Sequence, residues 1–219
     1  MTDEQNNLFL RVYDRLHDHY GPQGWWPGES GFEVMVGAVL TQNTNWSNVE
    51  KAIHNLKETG HFSFASLLEL PSELLAEYIR PAGYFNIKAG RLKNLLQMIV
   101  DEYEGEPDFL FADSLESSRE NLLRVKGVGP ETADSILLYG AGKPIFVIDT
   151  YTHRVFSRHQ LVAEESDYHS LQQDFMDSLP EDVQLFNEYH GLIVAVAKEF
   201  CKKSKPRCSE CPLQGVEER

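Results

Sequence analysis

Apolar residues recur along most of this chain at intervals of three and four, the spacing that places them on one face of a helix. The pattern predicts helices over 5–19, 31–41, 46–59, 63–68, 72–79, 86–104, 118–125, 131–138, 150–158, 168–178 and 183–201. Breaks fall at Gly21-Pro22, Pro71, Pro81, 105–107, 140–144 and Pro180, where glycine and proline interrupt the pattern. A short extended run, 145–148, leads into Asp149. There is no internal repeat and no low-complexity linker, so the pattern reads as all-α.

Length and composition bound this picture. A chain of 219 residues makes one large domain or two small lobes, and 42% hydrophobic and 11% aromatic residues suffice for a sizeable core. No apolar run reaches membrane-span length, and the first residues lack a basic-then-apolar signal pattern. A cytoplasmic, nucleoid-associated monomer is expected. The net charge is −14. Taken alone this argues against nucleic acid, because neutralising phosphates supplies much of the affinity for DNA. Local potential decides, however, and backbone N–H donors carry no formal charge. Cations do cluster: Lys198, Lys202, Lys203, Lys205 and Arg207 form one group, and Lys88, Arg91 and Lys93 a second. An ordinary solvated helix end is the alternative for the first.

Between two helical patterns lies Gly127-Val128-Gly129. Leu122, Leu123 and Val125 precede it, and Ala133, Ile136, Leu137 and Tyr139 follow at helical spacing. Such a turn exposes consecutive N–H groups, since glycine accepts φ > 0, and the second helix aims its unpaired N–H groups at an anion. The alternative is a helix C-cap glycine with a tight turn and no ligand. Asp149 begins a later helix, where the residue by itself reads as an N-cap.

Taken together, Leu122 to Asp134 resembles the helix-hairpin-helix of the DNA glycosylase superfamily that contains endonuclease III, and Val147-Ile148-Asp149-Thr150-Tyr151-Thr152-His153-Arg154-Val155 resembles its catalytic-aspartate segment. Gly37 to Thr44 and Gly83 to Ala89 match in the right order, and the likeness runs from about Trp25 to Cys211. It implies two helical lobes with a cleft between them, one over 24–133 and the other combining 1–23 with 134–219. It implies as partner double-stranded DNA carrying a damaged base. Asp149 would stabilise positive charge on the sugar as the glycosidic bond breaks, and activate water. Gln42 and Tyr84 match residues that enter the duplex from its two sides, and Gly127, Gly129 and Lys88 would contact the DNA backbone.

One position separates two mechanisms. Bifunctional members carry a lysine two residues after the second hairpin glycine, whose amine forms a Schiff base with C1′. Here that position is Glu131, which cannot form an imine, so base release without strand cleavage is expected. Lys126, ahead of the hairpin, could be proposed as a substitute amine. Trp25-Trp26-Pro27 with Trp46, together with Gly-x-Gly-x-Glu, is similar to the endonuclease III-type 3-methyladenine DNA glycosylases. That likeness implies a base pocket of Trp25, Trp26, Pro27 and Trp46, where aromatic faces hold an electron-poor alkylated purine. It aligns Lys198 with a lysine near the active site, though a helix-surface lysine is the plainer reading. The rivals are a glycosylase for damaged or mismatched pyrimidines and a non-catalytic binder of damaged DNA.

All three cysteines, Cys201, Cys208 and Cys211, lie near the end of the chain. Endonuclease III relatives hold a [4Fe–4S] cluster with this spacing and a fourth cysteine, whose place here is Glu217. The resemblance implies a cluster that shapes the loop 202–207. A three-cysteine cluster completed by Glu217 or an outside ligand, a decayed site, a chain ending short of its natural form, or zinc on three thiolates and one other ligand remain open.

Overall fold

The computed structural model describes residues 3–26 and 28–217. Pro27, expected in the base pocket, lies outside the described residues. Among them the regular elements are twelve α-helices, with short 3-10 and π turns and no strand. In chain order they are α1 (Asp3–Tyr20), α2 (Gly31–Leu40), α3 (Trp46–Glu58), α4 (Phe64–Glu69), α5 (Ser72–Tyr78), α6 (Phe85–Tyr103), α7 (Pro107–Ala112), α8 (Leu115–Arg124), α9 (Pro130–Ser135), α10 (Thr150–Arg158), α11 (Tyr168–Ser178) and α12 (Val183–Glu199).

Two differences from the expected helices have local causes. The pattern reads 105–107 as a break, but Pro107 opens α7, because a first-turn residue needs no N–H. Helix α8 starts at Leu115 rather than at 118, because the Ser114 hydroxyl accepts from the N–H of Ser117 and caps the end there.

The chain divides into two compact units, residues 28–143 and residues 1–27 with 144–219. The first continues past 133 because α9 runs without a break into a π-helical turn, Ile136–Gly140.

In the 28–143 unit, α6 packs against α2, α4, α5, α7 and α8. Helix α2 is buried on every side from Val34 to Leu40, as befits a helix with apolar residues all round. Its one buried charge, Glu33, pairs with Lys57 at 2.8 Å. The two helices of the hairpin are tied by Arg119 on α8, whose guanidinium donates to both oxygens of the fully buried Asp134 on α9, at 2.7 and 3.1 Å. Losing Arg119 would take the guanidinium from a fully buried carboxylate, at a cost of about 3–5 kcal/mol.

The other unit packs α1 against α11 and α12, and α10 against α12. Its core is aromatic. Phe146, from the extended run before Asp149, stacks on Phe175 with ring centroids 4.0 Å apart and meets Phe186 and Tyr189 edge-on. The Tyr189 hydroxyl donates to the Phe9 carbonyl at 2.7 Å, which satisfies a polar tip at the centre of the core. Phe146 thus anchors the segment that delivers Asp149.

Candidate active site and nucleic-acid interface

Asp149 is the N-cap of α10. Its Oδ1 accepts from the Thr152 N–H at 2.7 Å and from the Thr152 hydroxyl at 2.9 Å. The cap fixes the carboxylate and leaves Oδ2 to face His190, whose Nε2 lies 3.8 Å away. His190 is buried in the middle of α12. Its Nδ1 meets the Val147 carbonyl at 3.1 Å. A carbonyl only accepts, so Nδ1 carries the proton.

Trp25 lies in the same unit, on the same part of α12. A Cβ on Gly191 would come within 3.0 Å of Trp25 Cβ and 3.2 Å of its Cγ, so a glycine is needed for the indole to rest on the helix. The Trp25 ring stands 5.9 Å from the His190 ring and meets Trp26 perpendicularly at 6.0 Å. Glu188, one turn back, accepts from the N–H groups of Gln23 and Gly24 and ties the tryptophan segment to α12. The Trp25 indole N–H is buried with no acceptor among the described residues.

Lys198 is exposed on the last turn of α12, with its ammonium 5.9 Å from the Tyr151 ring. Trp46 opens α3 in the 28–143 unit, and its indole N–H donates to Glu50 at 3.0 Å.

The 28–143 unit carries the hairpin. Gly127 has φ +101, outside the range of ordinary side chains, and a Cβ there would lie 2.3 Å from Arg91 Cγ. Gly129 is the N-cap of α9 with no side-chain cap, and a Cβ there would meet open space. Asn94 on α6 donates to the Lys126 carbonyl at 3.0 Å, and Arg91 donates to Gln42 Oε1, so α6 braces the turn. Gln42 is part of this brace: its Nε2 donates to the Gly127 carbonyl at 3.1 Å and to the Thr132 hydroxyl at 2.9 Å. Tyr84, in the left-handed conformation ahead of α6, is 69% exposed, and Ile87 beside it is 55% exposed.

The second cationic group does not face phosphate as expected. Lys88 is 1% exposed, and its ammonium donates to the carbonyls of Leu40 and Ala82 at 2.8 and 2.7 Å. Burial, followed by the charge of Arg91, lowers its pKa to about 8. Lys93 donates to the carbonyls of Leu67 and Leu68, both at 2.7 Å. Both lysines serve the last turns of helices, α2 and α4, whose orphan carbonyls need donors. The spacing that suggested a patch is also the spacing of one helix face, and α6 turns that face inwards.

The C-terminal cations stand differently. Arg154 and Arg158 donate to the carbonyls of Cys201, Ala197, Lys202 and Lys203 and hold the loop. Lys202, Lys203 and Lys205 are exposed, whereas Arg207 pairs with Glu199 and Glu210. Cys201 is buried, Cys208 exposed and Cys211 between the two. Burial, and then the nearby thiols of Cys201 and Cys208, push the Cys211 thiol up. Glu217, at the fourth ligand position, is engaged by His159 Nδ1 at 3.2 Å. Among the described residues no three His, Cys, Asp or Glu side chains converge as a metal site. As they stand, the three thiols and this engaged carboxylate do not fit a four-thiolate cluster.

The family model for HhH-GPD superfamily base excision DNA repair proteins matches residues 36–181, a span that includes the hairpin and Asp149. The chain belongs to that superfamily. It is a base excision repair DNA glycosylase of the HhH-GPD fold, and related proteins agree. It is 43% identical to a provisionally named DNA repair glycosylase of Methanocaldococcus jannaschii, over 98% of this chain and 97% of that protein. It is 32% identical to endonuclease III of Thermotoga maritima, over 98% of this chain and 91% of that one. Among solved structures it superposes on the H. pylori 3-methyladenine DNA glycosylase bound to 1,N6-ethenoadenine with a TM-score of 0.75 and 30% identity, covering 90% of this chain and 98% of that one. A non-covalent endonuclease III–DNA complex shares the fold at a TM-score of 0.82 and 22% identity, covering 99% and 95%.

Thr152 and His190 beside Asp149, and Glu188 and Gly191 beside the Trp25 segment, were not singled out by the sequence. The usable signal was a histidine-glycine pair in the otherwise apolar run of α12.

Proposed function

We propose that this enzyme is a monofunctional DNA N-glycosylase that releases alkylated purines, 3-methyladenine among them, from double-stranded DNA. The observation that carries the reading is the pairing of a capped, oriented Asp149 carboxylate with Glu131 at the position that needs an amine. As the bond from base to sugar breaks, positive charge grows on the sugar. A fixed carboxylate oxygen stabilises that charge and requires no reorganisation when it appears. Water completes the reaction, because the position that needs an amine carries the Glu131 carboxylate, which cannot form an imine.

Trp25 and Trp26 offer flat aromatic surfaces to the base, and the roles of Trp46, Pro27 and Lys198 rest on the family resemblance alone. An electron-poor alkylated ring gains most from such faces. The likeness to a 3-methyladenine DNA glycosylase at 30% identity supports this choice of substrate. Tyr84, exposed with Ile87, is the wedge; Gly127, Gly129 and the first turn of α9 take the phosphate. Lys202, Lys203 and Lys205 add charge for the backbone. Arg154 and Arg158 hold that loop, and the chemistry places no step on a cluster. Iron and sulfide analysis of the purified protein tests this: four irons per chain would require ligands beyond the three thiols.

The 32% identity to an endonuclease III supports a second reading, the excision of damaged pyrimidines. One experiment separates the two. Methylated, uracil-containing and thymine-glycol duplexes are incubated with the enzyme, then divided for alkali treatment and borohydride trapping. The expected result is release of 3-methyladenine, strand breaks only after alkali, and no trapped adduct. Release confined to pyrimidines would replace the substrate, and an adduct would overturn the monofunctional mechanism.

A further inference from the structure

We propose that His190 is a second catalytic residue, which together with Asp149 holds the water that attacks the sugar. The proposal rests on the reading of Asp149 given above and adds a partner to it. The Nδ1–H of His190 donates to the carbonyl of Val147, two residues before Asp149, at 3.1 Å. That bond fixes both the ring's orientation and its tautomer, so the neutral ring presents Nε2 as an acceptor. Nε2 lies 3.8 Å from Oδ2 of Asp149. This is too long for a direct hydrogen bond, and two acceptors would not form one. Two acceptors at that separation can share one water that gives a hydrogen to each. The other carboxylate oxygen is already committed to Thr152, which leaves Oδ2 for this task.

The surroundings keep the pair in place. Asp149 and His190 are both close to buried, with side chains 11% and 6% exposed. Trp25 lies against the imidazole, and Gly191 lets it approach. Of the neighbouring titratable groups on α12, Glu188 is turned to the N–H groups of Gln23 and Gly24, and Tyr189 to the Phe9 carbonyl. On the Asp149 side, Tyr151 is covered by Arg154 and Lys198 at 5.0 and 5.9 Å. The Asp149 carboxylate faces the ring.

The step balances as follows. The C1′–N bond of a cationic N-alkylpurine breaks and its electron pair stays with the base, which leaves neutral. The water oxygen bonds to C1′, and the proton it sheds is taken by Nε2 and passed to solvent. A proton already on Nε2 removes the acceptor and pairs the imidazolium with Asp149. Rate therefore falls as His190 becomes protonated.

The test measures single-turnover release of 3-methyladenine from a methylated duplex, and affinity for a duplex bearing an abasic-site analogue. Both are measured for the unmodified enzyme, His190→Phe, His190→Gln and Asp149→Asn, across pH. His190→Phe is expected to lower the rate about 100-fold and leave abasic-duplex affinity unchanged. His190→Gln, whose amide oxygen still accepts a hydrogen from water, should recover part of the rate and lose the acid-side fall caused by His190. If His190→Gln keeps that fall unchanged, or if His190→Phe releases base at the unmodified rate, His190 holds no catalytic water. Equal losses of rate and affinity in His190→Phe, unrescued by His190→Gln, would reduce it to a packing residue. If Asp149→Asn keeps full activity, the reading of Asp149 itself fails, and that outcome is distinct from the others.

Discussion

Helices α9 and α10 begin twenty residues apart and solve the same problem in opposite ways. Both starts have N–H groups without helical partners. At α10 the cap is Asp149, which brings its own carboxylate and accepts from the N–H and hydroxyl of Thr152. At α9 the cap is Gly129, with no side chain to offer, and Pro130 follows without an N–H. The first start is capped by its own residue, and the cap turns the other carboxylate oxygen toward His190. The second has no side-chain hydrogen bond at its cap. One residue at the cap thus decides whether a helix start carries a fixed carboxylate or a bare glycine.

The strongest way to break the comparison is Asp149→Asn. Asparagine caps a helix about as well as aspartate, so the start of α10 should survive with little change in melting temperature. The charge is gone, and base release is expected to fall by about 10²–10⁴-fold. Asp149→Ala should lose a further ~0.5–2 kcal/mol of stability with the cap. Single-turnover release together with denaturant unfolding checks both. A fully active Asn variant would mean that Asp149 is a cap and nothing more.

The two hairpin glycines sharpen the other side. Gly127→Ala meets both a positive φ and the Arg91 side chain, so it should destabilise the protein by about 1–3 kcal/mol, measurable by urea unfolding. Gly129→Ala meets open space at an ordinary φ. It should fold normally and weaken binding to undamaged duplex several-fold, when the titrations are compared at one salt concentration. Destabilisation of the second variant as large as the first would show that both glycines are structural.

The opposite pole of a helix follows the same rule with the sign reversed. Lys88 serves the final carbonyl of α2 and that of Ala82 from within the core, and its pKa is lowered to about 8, below the 10.5 of an unfolded lysine. Between those values the unfolded chain binds more protons than the folded one, so stability rises with pH across that window. A neutral amine still has two N–H groups for its two carbonyl partners. The unmodified protein should therefore gain on the order of 1–3 kcal/mol from pH 7.5 to 10 relative to Lys88→Met. Parallel unfolding curves for the two proteins across that range would sink the assignment.

Much of this was legible in the sequence because it depends on local pattern. Helices α10 and α11 match the predicted bounds at both ends, since each begins after an aspartate cap and ends where the apolar spacing ends. The hairpin was legible for the same reason: two glycines flank one residue between two periodic segments. What escaped was the direction of side chains, which tertiary packing decides. Lys88 reads as a surface cation until α6 turns it inwards, and His190 reads as a lone polar residue in a core helix until the Val147 carbonyl and Asp149 come to meet it. The fourth cysteine position was legible as a departure, but that Glu217 would be engaged by His159 was not, because those residues lie far apart in the chain.

The smallest expected effect concerns Glu131, the exposed carboxylate in the first turn of α9. Near a helix start a carboxylate favours the dipole by about 0.3–1 kcal/mol, so Glu131→Gln should cost a little stability. The same charge would repel a phosphate brought to that start, so the variant should bind duplex DNA modestly more tightly, with the gain shrinking as salt rises. If the hairpin takes no phosphate, only the loss of stability remains. Titrating one duplex at two salt concentrations distinguishes the cases. Tighter binding at low salt alone would place the phosphate at α9, and unchanged binding at both would remove it from there.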